Sequence, residues 1–147
     1  MSAAPLPPLA RRLAYLGLLP FATGALLAWL LNRPGDLDVH AFAMRAFSAY
    51  AAVVISFLGA LHWGAAMQRH ETRGSVYAWA VVPSLLAWAA ALMPAYAGLA
   101  LHGALLLGVY ALDRMRYPAW GLQAWLTLRF RCTLGASLCC FLGAAGT

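Results

Sequence analysis

Lysine is absent from this 147-residue chain, and carboxylates number only four: Asp36, Asp38, Glu71 and Asp113. All four lie at or beyond the ends of apolar runs. An ion-coupled carrier normally buries a carboxylate within a span, so this placement argues against that class. No acid–base pair, no serine or cysteine with a base nearby and no glycine-rich phosphate loop can be found, which leaves hydrolytic and nucleotide chemistry without a motif. Cysteine is scarce too. Cys132, Cys139 and Cys140 form neither a CxxC motif nor a paired framework, and they read as small packing residues. The net charge of +6 comes from ten arginines. No basic stripe interleaved with aromatics stands outside the apolar runs, so the charge points to lipid head groups and not to nucleic acid.

What the chain has in quantity is apolar surface. Hydrophobic residues make up 64% and charged residues 10%, against a usual ~45–50% apolar for soluble domains. A soluble fold of this length cannot hide that much, and the composition reads as an integral membrane protein. Four runs of 18 to 22 residues are visible, at 13–31, 46–67, 75–92 and 95–112. A fifth, shorter run occupies about 131–146. Helices of ~20 residues cross ~30 Å and satisfy their own backbone hydrogen bonds, as lipid demands. The expected fold is therefore all-α: a bundle of five transmembrane helices forming one domain over 13–147. Residues 1–12, opening "MSAAPLPPLA", read as a flexible arm. The stretch 118–128, with Trp120 and Trp125 between flanking arginines, reads as a short helix lying in the cytoplasmic head-group layer. Pro20 and Pro83 fall near the middle of the first and third runs and predict kinks.

Five spans divide the arginines unevenly. Arg11, Arg12, Arg69, Arg73, Arg114, Arg116, Arg129 and Arg131 share one face, and only Arg33 and Arg45 the other. Excess arginine marks the cytoplasmic side, so the N-terminus is expected inside and the C-terminus outside.

Few polar residues fall inside the runs. In the second, Ser48, Ala52, Ser56, Ala60 and Gly64 recur every four residues and form a small ridge, the kind of surface that lets helices approach closely in lipid. His62 lies ~7 Å inside the cytoplasmic end of the same run and His102 ~10 Å inside the opposite end of the fourth. Ligands at such different depths make a poor bis-histidine haem site, and no third or fourth ligand stands near for zinc. No cofactor or metal is expected. His62 reads mainly as a helix–helix hydrogen-bonding residue, with a water-bridged contact to Asp113 if their helices are neighbours. Its functional alternative is a ligand contact made together with Trp63.

The segments "LAYLGLLPF" (13–21), "YAAVVISFLGALHWGAAM" (50–67), "VVPSLLAW" (81–88), Asp113 with Arg114, and "AWLTLRF" (124–130) resemble a small bacterial family of uncharacterised multi-pass membrane proteins. Its eukaryotic relative is a mitochondrial transmembrane protein of unknown function. The resemblance runs from about residue 13 to 140, and "SFLGALHWG" is its most specific part. It implies a bacterial inner-membrane location and draws attention to His62, Trp63, Asp113 and Arg129, without assigning them an activity. Two functional classes follow. One is a non-enzymatic accessory protein that packs against other membrane proteins or against itself, for instance in an energy-converting complex. The other is a binding protein for a quinone, lipid or haem-related molecule at His62 and Trp63.

Overall fold

The computed structural model describes residues 6–147. Six α-helices follow one another: α1 (Pro8–Leu16), α2 (Leu19–Leu30), α3 (Leu37–Gln68), α4 (Gly74–Ala91), α5 (Ala95–Arg116) and α6 (Leu126–Ala145). No strand occurs among the described residues. With α1 and α2 taken together, five helical segments are long and apolar enough to cross a membrane.

Prolines set the helix boundaries. Pro8 opens α1, where its missing N–H costs nothing. Pro20 lies in the first turn of α2, and the chain breaks at Gly17 and Leu18 just before it. The expected kink in the first span is thus a break between two helices. Pro83 is tolerated inside a continuous α4 and is buried. Of the stretch 1–12, residues 8–12 lie in α1, residues 6 and 7 precede it outside any helix, and residues 1–5 lie outside the described residues. The second span is longer than expected, because α3 begins at Leu37 with Asp38 in its first turn, where a carboxylate suits the helix dipole.

At its far end α3 stops in a Schellman turn. His70 takes a left-handed conformation (φ 52°), Glu71 N donates to Ala66 O and His70 N to Met67 O. Beyond it Arg73 donates to Glu71 through its backbone N, Nε and Nη2. These bonds hold the Glu71 carboxyl down at about 2.

The expected interfacial helix at 118–128 does not form. Two short 3-10 turns, Pro118–Trp120 and Gln123–Trp125, are separated by Gly121 in a left-handed conformation (φ 70°). The apolar residues that follow join α6, which starts at Leu126 instead of about 131.

Helix neighbours are shown by long-range hydrogen bonds. Trp29 Nε1 donates to Leu142 O (3.0 Å) and Asn32 Nδ2 to Gly146 O (3.1 Å), so α2 and α6 end side by side. His40 Nε2 bonds Ala28 O, tying α3 to α2. Tyr50 donates from α3 to Gly17 O, a carbonyl at the break between α1 and α2 (2.9 Å). In lipid the packing between helices rests on close contact, since tails are as apolar as leucine. Phe47 of α3 shows how: its ring presses on both Gly24 of α2 and Gly143 of α6, where any Cβ would overlap it. The core around it comprises Phe21, Met44, Ile55, Leu99, Leu106 and Cys140 among others.

Candidate functional site

The buried stripe of α3 runs through Met44, Phe47, Ser48, Ala51, Ile55, Leu58, Gly59, His62 and Ala66. That of α5 runs through Leu99, His102, Leu106, Val109 and Asp113. Both repeat at three or four residues, the period of one helical face. They meet at the arginine-rich end of the bundle, where His62 and Asp113 face each other. His62 Nε2 lies 2.6 Å from Asp113 Oδ1. The carboxylate can only accept, so Nε2 donates. Arg129, in the first turn of α6, completes the group. Its Nε donates to Asp113 Oδ2 at 2.8 Å, and its Nη2 donates to the same oxygen.

Three helices are thereby joined through one carboxylate. Asp113 has no exposed surface and His62 is 4% exposed. A buried carboxylate of this kind is costly unless paired and hydrogen-bonded, and here both oxygens are occupied. The structure replaces the expected water bridge by a direct contact. It also places Asp113 inside α5, three residues before Arg116, and not beyond a span that ends at 112.

Aromatic rings cover the cluster. Trp120 stands edge-on to the His62 imidazole with centroids 5.3 Å apart, and Tyr117 lies at 6.1 Å. Tyr117 caps the end of α5, and Trp120 comes from the link that failed to become an interfacial helix. Its 3-10 turns fold back over the end of α3. Burial pushes the Tyr117 phenol up, and the Asp113 charge pushes it the same way against the opposing Arg129 guanidinium. The hydroxyl therefore keeps its proton at neutral pH.

Of the residues singled out from sequence, His62, Asp113 and Arg129 come together. Trp63 does not. It is one position further round α3, 41% exposed, and pairs edge-on with Tyr77 of α4 at 5.2 Å. The ridge is turned partly aside as well. Ser48 is buried, Ala52 and Ser56 are half-buried, and Ala60 and Gly64 are exposed. The close approach of α3 to α4 falls one residue before Ala60, at Gly59, where a Cβ would sit 2.5 Å from Ala80 O. Ser56, Ala60 and Trp63 line a small groove of about 160 Å³ beside it, with Ala80, Val81 and Ser84 opposite.

Beside the cluster lies a much larger cavity, about 820 Å³, walled by α1, α2, α3, α6 and the aromatic link. Along α3 its lining reaches from Tyr50 to Gln68, roughly 27 Å of helix. Among the described residues Arg129 is the one charged side chain in its wall, which Trp120, Trp125 and Tyr117 also line. Sequence reading missed Trp120, Trp125 and Thr133 as site residues. Trp120 and Trp125 carried a signal, as paired aromatics next to arginines, but that signal also fits a head-group belt. Among the described residues no three His, Cys, Asp or Glu side chains gather as a metal site.

The family model for a protein of unknown function, DUF3429, matches residues 6–145. The chain belongs to the DUF3429 family. No curated protein and no solved structure matches it. The DUF3429 match spans every element of the site, from α1 in the cavity wall through His62, Asp113 and Arg129 to the end of α6.

Proposed function

We infer that this chain is a non-catalytic integral membrane protein that holds a small lipophilic molecule at its arginine-rich end. The observation that carries this is the pairing of an apolar cavity of about 820 Å³ with a buried His62–Asp113–Arg129 cluster in and behind its wall. Ligand sites are commonly apolar pockets of ~300–1,000 Å³ with a few convergent polar groups. His62 acts here by orienting Asp113, and Asp113 by orienting Arg129, the member that reaches the cavity. Trp63, on the other flank, has no part in it. The excess of arginine at that end supports a cytoplasmic placement with the N-terminus inside. The resemblance to bacterial inner-membrane proteins supports that membrane as the location.

An accessory role packing against other membrane proteins, or against a second copy, is the second reading. It is favoured by the groove of small residues at Ser56, Ala60 and Ser84 on the flank of α3 and α4, where another helix can come close.

The test of the first reading is native mass spectrometry of the full chain purified in mild detergent, beside the variant Gly64→Leu. Gly64 lines the cavity and has nothing within 4 Å of an added Cβ, so leucine fills the space without a clash. The parent should retain a lipophile that the variant loses. Equal retention, or none in either, contradicts the reading.

A further inference from the structure

The wall of the cavity carries an unused hydroxyl. Thr133 sits one turn beyond Arg129 on α6, lines the cavity and is 3% exposed. Its Oγ1 has no hydrogen-bond partner. A buried hydroxyl left unpaired is disfavoured, and in a helix threonine usually returns its hydroxyl to the preceding turn. Thr133 does not, and its hydroxyl stands unpaired in a residue of the cavity wall.

Arg129 spends Nε and Nη2 on Asp113, and of its five N–H groups those left over serve the Tyr117 hydroxyl and a further acceptor. Its charge is already matched by Asp113, and no second cation lines the cavity among the described residues. A wall of this kind suits a neutral acceptor better than an anion. The wall suits a flat ring, since Trp120, Trp125 and Tyr117 line the same cavity as Arg129. Away from them the cavity continues as an apolar slot past Leu58 and Val54 to Phe21 and Tyr50, which suits a long tail.

Building on the lipophile reading, we propose that the cavity binds a quinone-type molecule: a neutral planar ring with carbonyl oxygens, carried on an apolar tail. The ring lies against the aromatic link, one carbonyl accepts from Arg129 or Thr133, and the tail runs along α3 toward Tyr50.

The probe is decylubiquinone, added to the full chain in nanodiscs of phosphatidylcholine, with tryptophan fluorescence as the readout. A quinone quenches indoles that it touches, and Trp120 and Trp125 are in the wall. Parent protein should show saturable quenching, and Gly64→Leu only the linear background of probe dissolved in lipid. Trp125→Phe should reduce the saturable amplitude. Thr133→Val, which keeps shape and removes an unpaired hydroxyl, should keep its melting temperature and bind about fivefold more weakly, the effect of one lost neutral hydrogen bond. Unsaturable quenching in the parent, or the same curve in Gly64→Leu, overturns the proposal. Equal affinity of parent and Thr133→Val removes Thr133 from the site. Binding of oleate without decylubiquinone overturns the quinone assignment and leaves the lipophile reading standing, whereas binding of neither overturns both.

Discussion

At the scale of single residues, the His62–Asp113–Arg129 cluster makes unequal demands on its members. Asp113 accepts every hydrogen bond in it. Removing the charge by Asp113→Asn leaves Arg129 largely buried without a carboxylate, a loss on the order of 3 kcal/mol. His62→Leu leaves Asp113 one donor short, roughly 1–2 kcal/mol or less in lipid. His62→Gln retains a donor of similar reach and should cost less than about 1 kcal/mol. Thermal unfolding in detergent should therefore rank the variants Asp113→Asn, His62→Leu, His62→Gln, most to least destabilised. A full loss of ligand retention in a well-folded His62→Gln would show that the imidazole itself is needed. His62 and Asp113 stood out in the sequence because polar residues are rare inside or beside apolar runs. That they touch directly could not be read, because it depends on α5 continuing past residue 112 and on Arg129 arriving from a third helix. Arg129 precedes the expected fifth run at 131–146; paired with Asp113, it lies within the apolar segment Gln123–Ala145.

Elements show where periodicity is a sound guide and where it is not. Four-residue spacing marks a face, but small residues at 48, 52, 56, 60 and 64 and the buried stripe through 51, 55, 59 and 62 are adjacent faces of the same helix. Only contact with α4 decides between them, and Gly59 makes it. Gly59→Ala should thus destabilise by about 1–3 kcal/mol through overpacking against the Ala80 carbonyl. Ala60→Leu, whose side chain enters the flanking groove, should melt within about 0.5 kcal/mol of the parent, as at a surface site. Reversing that order in detergent melts would restore the ridge as the packing face. The link at 118–128 departs from the expected helix for a similar reason. Its aromatics and arginines have interfacial composition, yet Gly121 breaks it into turns and Leu126 begins α6. At the α3–α4 connection, the depressed Glu71 carboxyl gives a signed pH effect. Its folded value of about 2 lies below the ordinary 4.5. The contact with Arg73 is therefore fully present above pH 4.5 and is lost as pH falls toward 2. The pair is exposed, so the effect is small and salt-sensitive. Glu71→Gln should flatten the acid side of the stability profile at low salt, and an unchanged profile would remove this pair from the account.

For the whole molecule, apolar runs and arginine positions were enough to read five spanning segments, since lipid imposes length and composition on each crossing. The cavity was not legible, because it is the space left between α1, α2, α3 and α6, and no local pattern encodes it. The division of eight arginines against two predicts orientation. Reporter fusions at Asp36 and after Thr147 should both signal the outer side, and a cytoplasmic signal at either position contradicts that topology. One buried carboxylate joins α3, α5 and α6 beside the cavity. A double-mutant cycle on Asp113→Asn and Arg129→Gln, followed by unfolding in detergent, tests it most directly. The account predicts a coupling of about 2 kcal/mol, the double variant being far less damaged than the sum of the singles. Additivity within about 0.5 kcal/mol would mean that the two residues do not form a buried pair.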